Sequence, residues 1–174
     1  MRFPLILACV SGAALIAAPP AFGQGKKDRA REAVAAAQAK VDAASKIGAA
    51  GEVPRLLADS LRAAGQDAIG VAMDAHATDG IRTAIDLVAG RFGSLDLLVN
   101  CVGIQREERH AEVSEAAFDE VVQVNLRAAM FMSQAAARHQ VAAVAAGNAP
   151  GRQVHLLSVR AQLGMRDRGY SAYC

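Results

Sequence analysis

Tryptophan is absent from this chain of 174 residues, tyrosine occurs twice and phenylalanine five times. So few flat side chains disfavour base stacking as a way of holding nucleic acid. Positive charge is not in surplus either: the formal net charge is +2, too small for a phosphate-gripping surface. The three cysteines, Cys9, Cys101 and Cys174, are odd in number and widely spaced. They make neither a disulfide framework nor a zinc-ligand pattern, so no metal site is expected. His76, His110, His139 and His155 show no metal or triad spacing and read as surface or strand residues. What remains is apolar and rich in Ala and Val, which excludes disorder and suits one domain with a real core.

The start of the chain differs in texture from the rest. Arg2 precedes an apolar run from Phe3 to Ala18, followed by Pro19-Pro20 and the small-residue pattern Ala21-Phe22-Gly23. That order reads as a secretory signal over residues 1–23, the alternative being a buried strand and the start of a helix. The run is short for a membrane span and no second one follows. Residues 24–51 read as an Ala-rich helix and linker with little to bury, its larger apolar residues being Val34, Val41 and Ile47.

From residue 52 onward the pattern becomes regular. Val53, Leu57, Leu61 and Ala64 mark one helical face, with Pro54 in the first turn and Gly65 as the stop. A short apolar strand, Ala68 to Asp74, leads to a helix with Ile81, Ala84, Ile85, Val88 and Phe92 on one stripe. A second buried-type strand runs from Leu95 to Asn100. A long helix from Ser114, a natural N-cap, to about Ala145 precedes a third strand, Gln153 to Ser158. Apolar strands alternating with helices predict a doubly wound parallel sheet covered on both faces. Ligands of such sheets bind beyond the carboxyl ends of the strands, so Asp74, the Asn100–Gly103 turn and Ser158 are expected along one edge.

Taken singly, these residues are ambiguous. Asp74 can accept from a purine amino group or serve as a helix cap or a solvated loop acid. Gly103 lets a flat ligand approach the backbone. Asn125 lies on the apolar stripe of the long helix, where a buried amide must find partners. It is either a clasp on neighbouring backbone or a holder of an active-site water. Ser158 lacks a surrounding G-x-S-x-G elbow, which argues against acyl transfer. The Arg106–His110 stretch reads as a solvated loop whose arginines, facing a cleft, would suit a substrate carboxylate.

Together the ordered elements resemble the short-chain dehydrogenase/reductase family over residues 52–174. The resemblance rests on the strand-end Asp74, on "LDLLVNCVGIQ", on "FDEVVQVNLRAAMFMSQAA" with Asn125, and on "VHLLSV" before "YSAYC". "GIQRE" and "FMSQA" further resemble gluconate and ketodeoxygluconate dehydrogenases. The resemblance implies a partial, incomplete Rossmann-like domain and hydride transfer between NAD or NADP and a carbinol or ketone, a sugar acid among the choices. It implies Tyr173 as acid/base, Ser158 on the substrate oxygen, Asn125 in the proton relay, and Asp74, Asn100 and Gly103 toward the adenosine half of the cofactor. Such a tyrosine works when a nearby cation lowers its pKa. If Tyr170 were that acid, the partner lysine of Y-x-x-x-K would be at position 174, which is Cys174. With Tyr173 in the role it falls three residues past the end of the sequence as given.

The sequence departs from the family pattern at its start: no T-G-x-x-x-G-x-G turn occurs, and no convincing strand precedes Gly23. The interval from Ser158 to Tyr173 is also slightly long. These departures lead us to expect a truncated relative with little activity. The alternative is a non-catalytic module that associates through the 114–145 helix, a homo-oligomer contact that the resemblance also implies. A third reading, an exported helical protein, rests on residues 1–47 alone. Neither a nucleic-acid partner nor a membrane association after signal removal is expected. The resemblance implies the cytoplasm, whereas the first residues resemble an export signal.

Overall fold

A computed structural model describes the chain at residues 5–9, 14–18, 53–162 and at Gly169. The Ala-rich 24–51 stretch and both tyrosines lie outside these residues, as does Cys174. Five strands form one sheet in the order β3-β2-β1-β4-β5, with β1 Leu5–Cys9, β2 Ala14–Ala18, β3 Ile69–Ala72, β4 Leu97–Asn100 and β5 Arg152–His155. This is the strand order of a doubly wound α/β sheet. β1 pairs parallel with β4, and β4 with β5. β2, however, pairs antiparallel with both β1 and β3. The sheet is therefore mixed, where an all-parallel one was expected. Strands also precede Gly23, where the sequence favoured an export signal over a buried strand. The apolar residues of the signal-like segment supply the central strand β1 and its neighbour β2, an outcome that hydropathy alone does not separate from an export signal.

Among the described residues three helical segments pack on this sheet: α1 Val53–Ala63, α2 Thr78–Phe92, and a long third made of α3 Glu115–Val122 and α4 Ala128–Ala145. Between α3 and α4 the chain does not break. Residues Gln123–Arg127 make a π-turn in which the Ala128 N–H reaches back to the Gln123 carbonyl. The expected single helix thus holds one widened turn, a feature often found at functional sites.

Local chemistry sets the ends of these helices. The Ser114 side chain accepts from the Ala117 N–H at 3.2 Å, capping α3 as expected. Gly93 ends α2 at φ 76°, where its N–H reaches the Ala89 carbonyl at 2.8 Å. Such a left-handed stop favours glycine.

β3, β4 and β5 point the same way, because β3 and β1 both oppose β2 and β1 is parallel to β4. Both crossovers, β3-α2-β4 and β4-α3/α4-β5, step across the sheet in one direction. Right-handed connections then put α2 and the long helix on the same face. There Ile81, Ile85 and Val88 of α2 meet Leu95, Leu98 and Met132, all buried, in one core cluster. Burying each such aliphatic side chain is worth about 1.5–3 kcal/mol. α1 packs on β2 and β3 outside that cluster.

β5 departs from the buried-type strand that the sequence suggested. Its outward residue Val154 is exposed, and so are Leu156 and Leu157 beyond it. It is an edge strand, and its inner contact with α4 is polar. The Gln153 amide donates to the Ser133 carbonyl and to Gln140, while buried Gln140 donates to the Arg152 carbonyl.

Candidate active site

The carboxyl ends of β3, β4 and β5 lie along one edge, so the segments carrying Asp74, Asn100–Gly103 and Ser158 all emerge there. The sequence placed Asp74 at the last strand residue, whereas β3 ends at Ala72 and Asp74 opens the turn that follows. Its side chain is exposed, and Oδ1 accepts from the His76 N–H at 2.9 Å with the His76 ring Nδ1 at 3.0 Å. These bonds to His76 hold the Asp74 carboxyl below its ordinary value, the backbone N–H contributing most. The negative form is favoured at a strand end, with Oδ1 already committed.

Asn100 is buried, and all its polar side-chain atoms face protein. Its Oδ1 accepts from the Val102 N–H at 2.9 Å, which fixes the amide orientation. Nδ2 then points to the His155 Nδ1 at 3.3 Å, so the ring nitrogen accepts. The Asn100 carbonyl accepts from the Leu156 N–H at 2.9 Å. Asn100 therefore ties the tips of β4 and β5 together and shapes the turn.

That turn leads to Gly103 and Ile104, where Asn125 takes hold. The Asn125 Oδ1 accepts from the Ile104 N–H at 2.8 Å, and Nδ2 donates to the Ile104 carbonyl at 2.9 Å. Of the two readings left open by the sequence, the clasp on neighbouring backbone is the one these bonds display. A Cβ at Gly103 would stand 3.5 Å from Asn125 Oδ1, ordinary contact, so the glycine leaves a flat surface without being sterically forced. Asn100, Gly103 and Asn125 form one cluster. At Ser158, Oγ accepts from the Arg160 N–H at 3.1 Å to start a short 3₁₀ turn, Val159–Ala161.

Two contacts here were not foreseen. Arg106 forks onto Glu120, Nε to Oε2 at 2.7 Å and Nη2 to Oε1 at 2.6 Å. That pairing lowers the Glu120 pKa and raises that of Arg106. Arg106 is therefore used inside the protein rather than held ready for a substrate. The second is the Gln123 amide, which donates to the His76 carbonyl at 3.0 Å. Neither pair leaves a local mark in the sequence, since its members lie 14 and 47 residues apart.

Past Ile104 an open cavity of about 580 Å³ is lined by Glu107, Glu108, Arg109, Glu112 and Gly169. Gly169 is buried against the backbone of Glu108 and Arg109, too close for any side chain. Among the described residues no group of His, Cys, Asp or Glu is placed to hold a metal ion. Among the same residues no helix is long and apolar enough to cross a membrane.

The short chain dehydrogenase family model matches residues 29–174. The chain belongs to the short-chain dehydrogenase family. A 2-dehydro-3-deoxy-D-gluconate 5-dehydrogenase of Escherichia coli strain K12 is 35% identical over 115 residues, 66% of this chain and 44% of that protein. A short chain dehydrogenase from Burkholderia cenocepacia J2315, solved in complex with NADP, superposes with a TM-score of 0.61 at 34% identity, covering 70% of this chain and 46% of that one. An NADH-dependent reductase responsible for alginate metabolism gives 0.62 at 26% identity, over 69% and 49% of the two chains. This short-chain dehydrogenase spans about half the length of the relatives it matches.

Proposed function

We propose that this short-chain dehydrogenase binds NAD or NADP at the edge formed by β3, β4 and β5 and acts as an oxidoreductase on a carbinol or ketone of a sugar acid. The observation that carries the reading is the pair of turns after β3 and β4. They carry an ionised, exposed Asp74 and a side-chain-free Gly103, and the Gln123–Arg127 turn holds the backbone next to each. The fit to a dinucleotide is chemical: a carboxylate to accept from an adenine amino group, and bare backbone for a flat ring to approach. When bound, the nicotinamide supplies or takes the hydride. Asn100 acts from beneath by holding the turn, and Asn125 by fixing Ile104.

In this reading Ser158 donates to the substrate oxygen and Tyr173 exchanges the proton with it. Arg109, which lines the cavity, takes the substrate carboxylate, since Arg106 is committed to Glu120. The neighbouring glutamates accept from sugar hydroxyls. Residues 1–52 contain no T-G-x-x-x-G-x-G turn, so grip on the pyrophosphate is weak and turnover falls far below a typical enzymatic rate of about 10 per second. Titration of the protein with NADH and NADPH, followed by nucleotide fluorescence, is expected to saturate. Saturable binding, with slow reduction of keto sugar acids that Tyr173→Phe abolishes, supports the reading. Absence of saturable binding overturns it.

One observation favours a second reading, an association module. On the outer face of the long helix Leu126, Met130, Val141 and Val144 are exposed on one stripe, more apolar surface than a solvated helix shows. In that reading two copies pair through this helix. Sedimentation would then show a dimer that Met130→Glu dissociates.

A further inference from the structure

Asp74 owes its orientation to His76, and His76 owes its own to the long helix. The Asp74 carboxylate holds the His76 N–H at 2.9 Å on one side of that residue's backbone. On the other side the Gln123 amide holds the His76 carbonyl at 3.0 Å. Two residues further along the same π-turn, Asn125 holds both backbone groups of Ile104 at 2.8 and 2.9 Å. One turn of helix therefore clasps the loop after β3 and the loop after β4. Gln123 and Asn125 thus tie both loops to one stretch of helix. An exposed turn such as Asp74–Ala77 has little burial to fix it, so a tie to a rigid element matters more than its strength suggests.

We propose that Gln123 is a positioning residue for the adenosine half of the cofactor, acting through His76 on Asp74. The inference rests on the reading of this edge as a dinucleotide site. Gln123→Met keeps the side-chain length and removes the donor; Gln123→Glu keeps the shape and replaces the donor with an acceptor. Losing one such hydrogen bond is worth roughly a three- to tenfold change. Both variants should weaken NADH binding by about that factor. Reduced nicotinamide mononucleotide, which lacks adenosine, should bind both as it binds the parent. In ligand-free protein the His76 and Ala77 amides should exchange several-fold faster in each variant, with the Ile104 amide unchanged.

Unaltered NADH affinity in Gln123→Met, or an equal loss for the mononucleotide, overturns the proposal. If the parent binds neither nucleotide while the exchange effect appears, the clasp stands and the dinucleotide reading falls. If the exchange is unchanged, the clasp itself is refuted.

Discussion

Replacing Asn125 by Leu keeps the approximate size of the side chain and removes both bonds to Ile104. The Ile104 N–H and carbonyl, satisfied at 2.8 and 2.9 Å, would then face an aliphatic group. An unsatisfied, largely desolvated backbone group costs about 1–3 kcal/mol. The site is only part-buried, and water can recover some of that, so the expected loss for the pair is about 2–4 kcal/mol. Against a whole-domain stability of about 5–15 kcal/mol, this is a large fraction. In a chain of this size it corresponds to a fall in Tm of roughly 4–16 °C. Urea denaturation followed by circular dichroism reads the energy, and amide exchange at Ile104 reads the place. A variant within about 0.5 kcal/mol of the parent, or one whose Ile104 amide remains protected, would refute the reasoning and leave Asn125 as a side chain that merely touches the loop.

Ile85 is fully buried among α2, β4 and α4, so Ile85→Ala is expected to cost about 2–5 kcal/mol in denaturant titration. Two glycines should respond in opposite directions. A Cβ at Gly70 would run into the backbone of Pro54, whereas one at Gly90 meets nothing within 4 Å. Gly70→Ala should therefore destabilise by more than about 2 kcal/mol, while Gly90→Ala, in a helix interior, stabilises by about 0.5–1 kcal/mol. The Arg106–Glu120 fork carries a pH dependence whose sign follows from the lowered Glu120 pKa. Its contribution is complete above the ordinary glutamate value of about 4.3 and fades as pH falls through the lowered folded-state value. The stability gap between the parent and Glu120→Gln should be constant from pH 6 to 8 and close below about pH 4. A gap that widens on acidification would contradict it.

The α2 and α3–α4 helices were legible because their buried residues recur at helical spacing, and their stops carry Gly93 and Gly147. The shared edge of Asp74, Asn100–Gly103 and Ser158 was legible too, since these residues follow strands that run the same way. The exposure of β5 was not. Val-His-Leu-Leu reads as buried, but whether a strand is covered depends on what stands beyond the edge of the sheet. The π-turn was equally hidden: an i to i+5 bond has no residue preference of its own, and here it accompanies two amides that reach in different directions. Asn125 could be singled out as a polar residue on an apolar stripe. Gln123 could not, because a half-exposed glutamine on a helix matches any solvated face. Residues 3–18 show the opposite limit: one apolar run satisfies both the export-signal pattern and a pair of strands, and backbone pairing lies outside what composition reports.

The β3–β4–β5 edge is the surface proposed to receive a nicotinamide dinucleotide. Amide hydrogen exchange with and without NADPH tests it most directly. A dinucleotide seated on that edge slows exchange at residues 74–77 and 100–104 and in the chain just past β5, and nowhere else. Protection along residues 126–144 of the long helix, or no protection anywhere at saturating nucleotide, would contradict it.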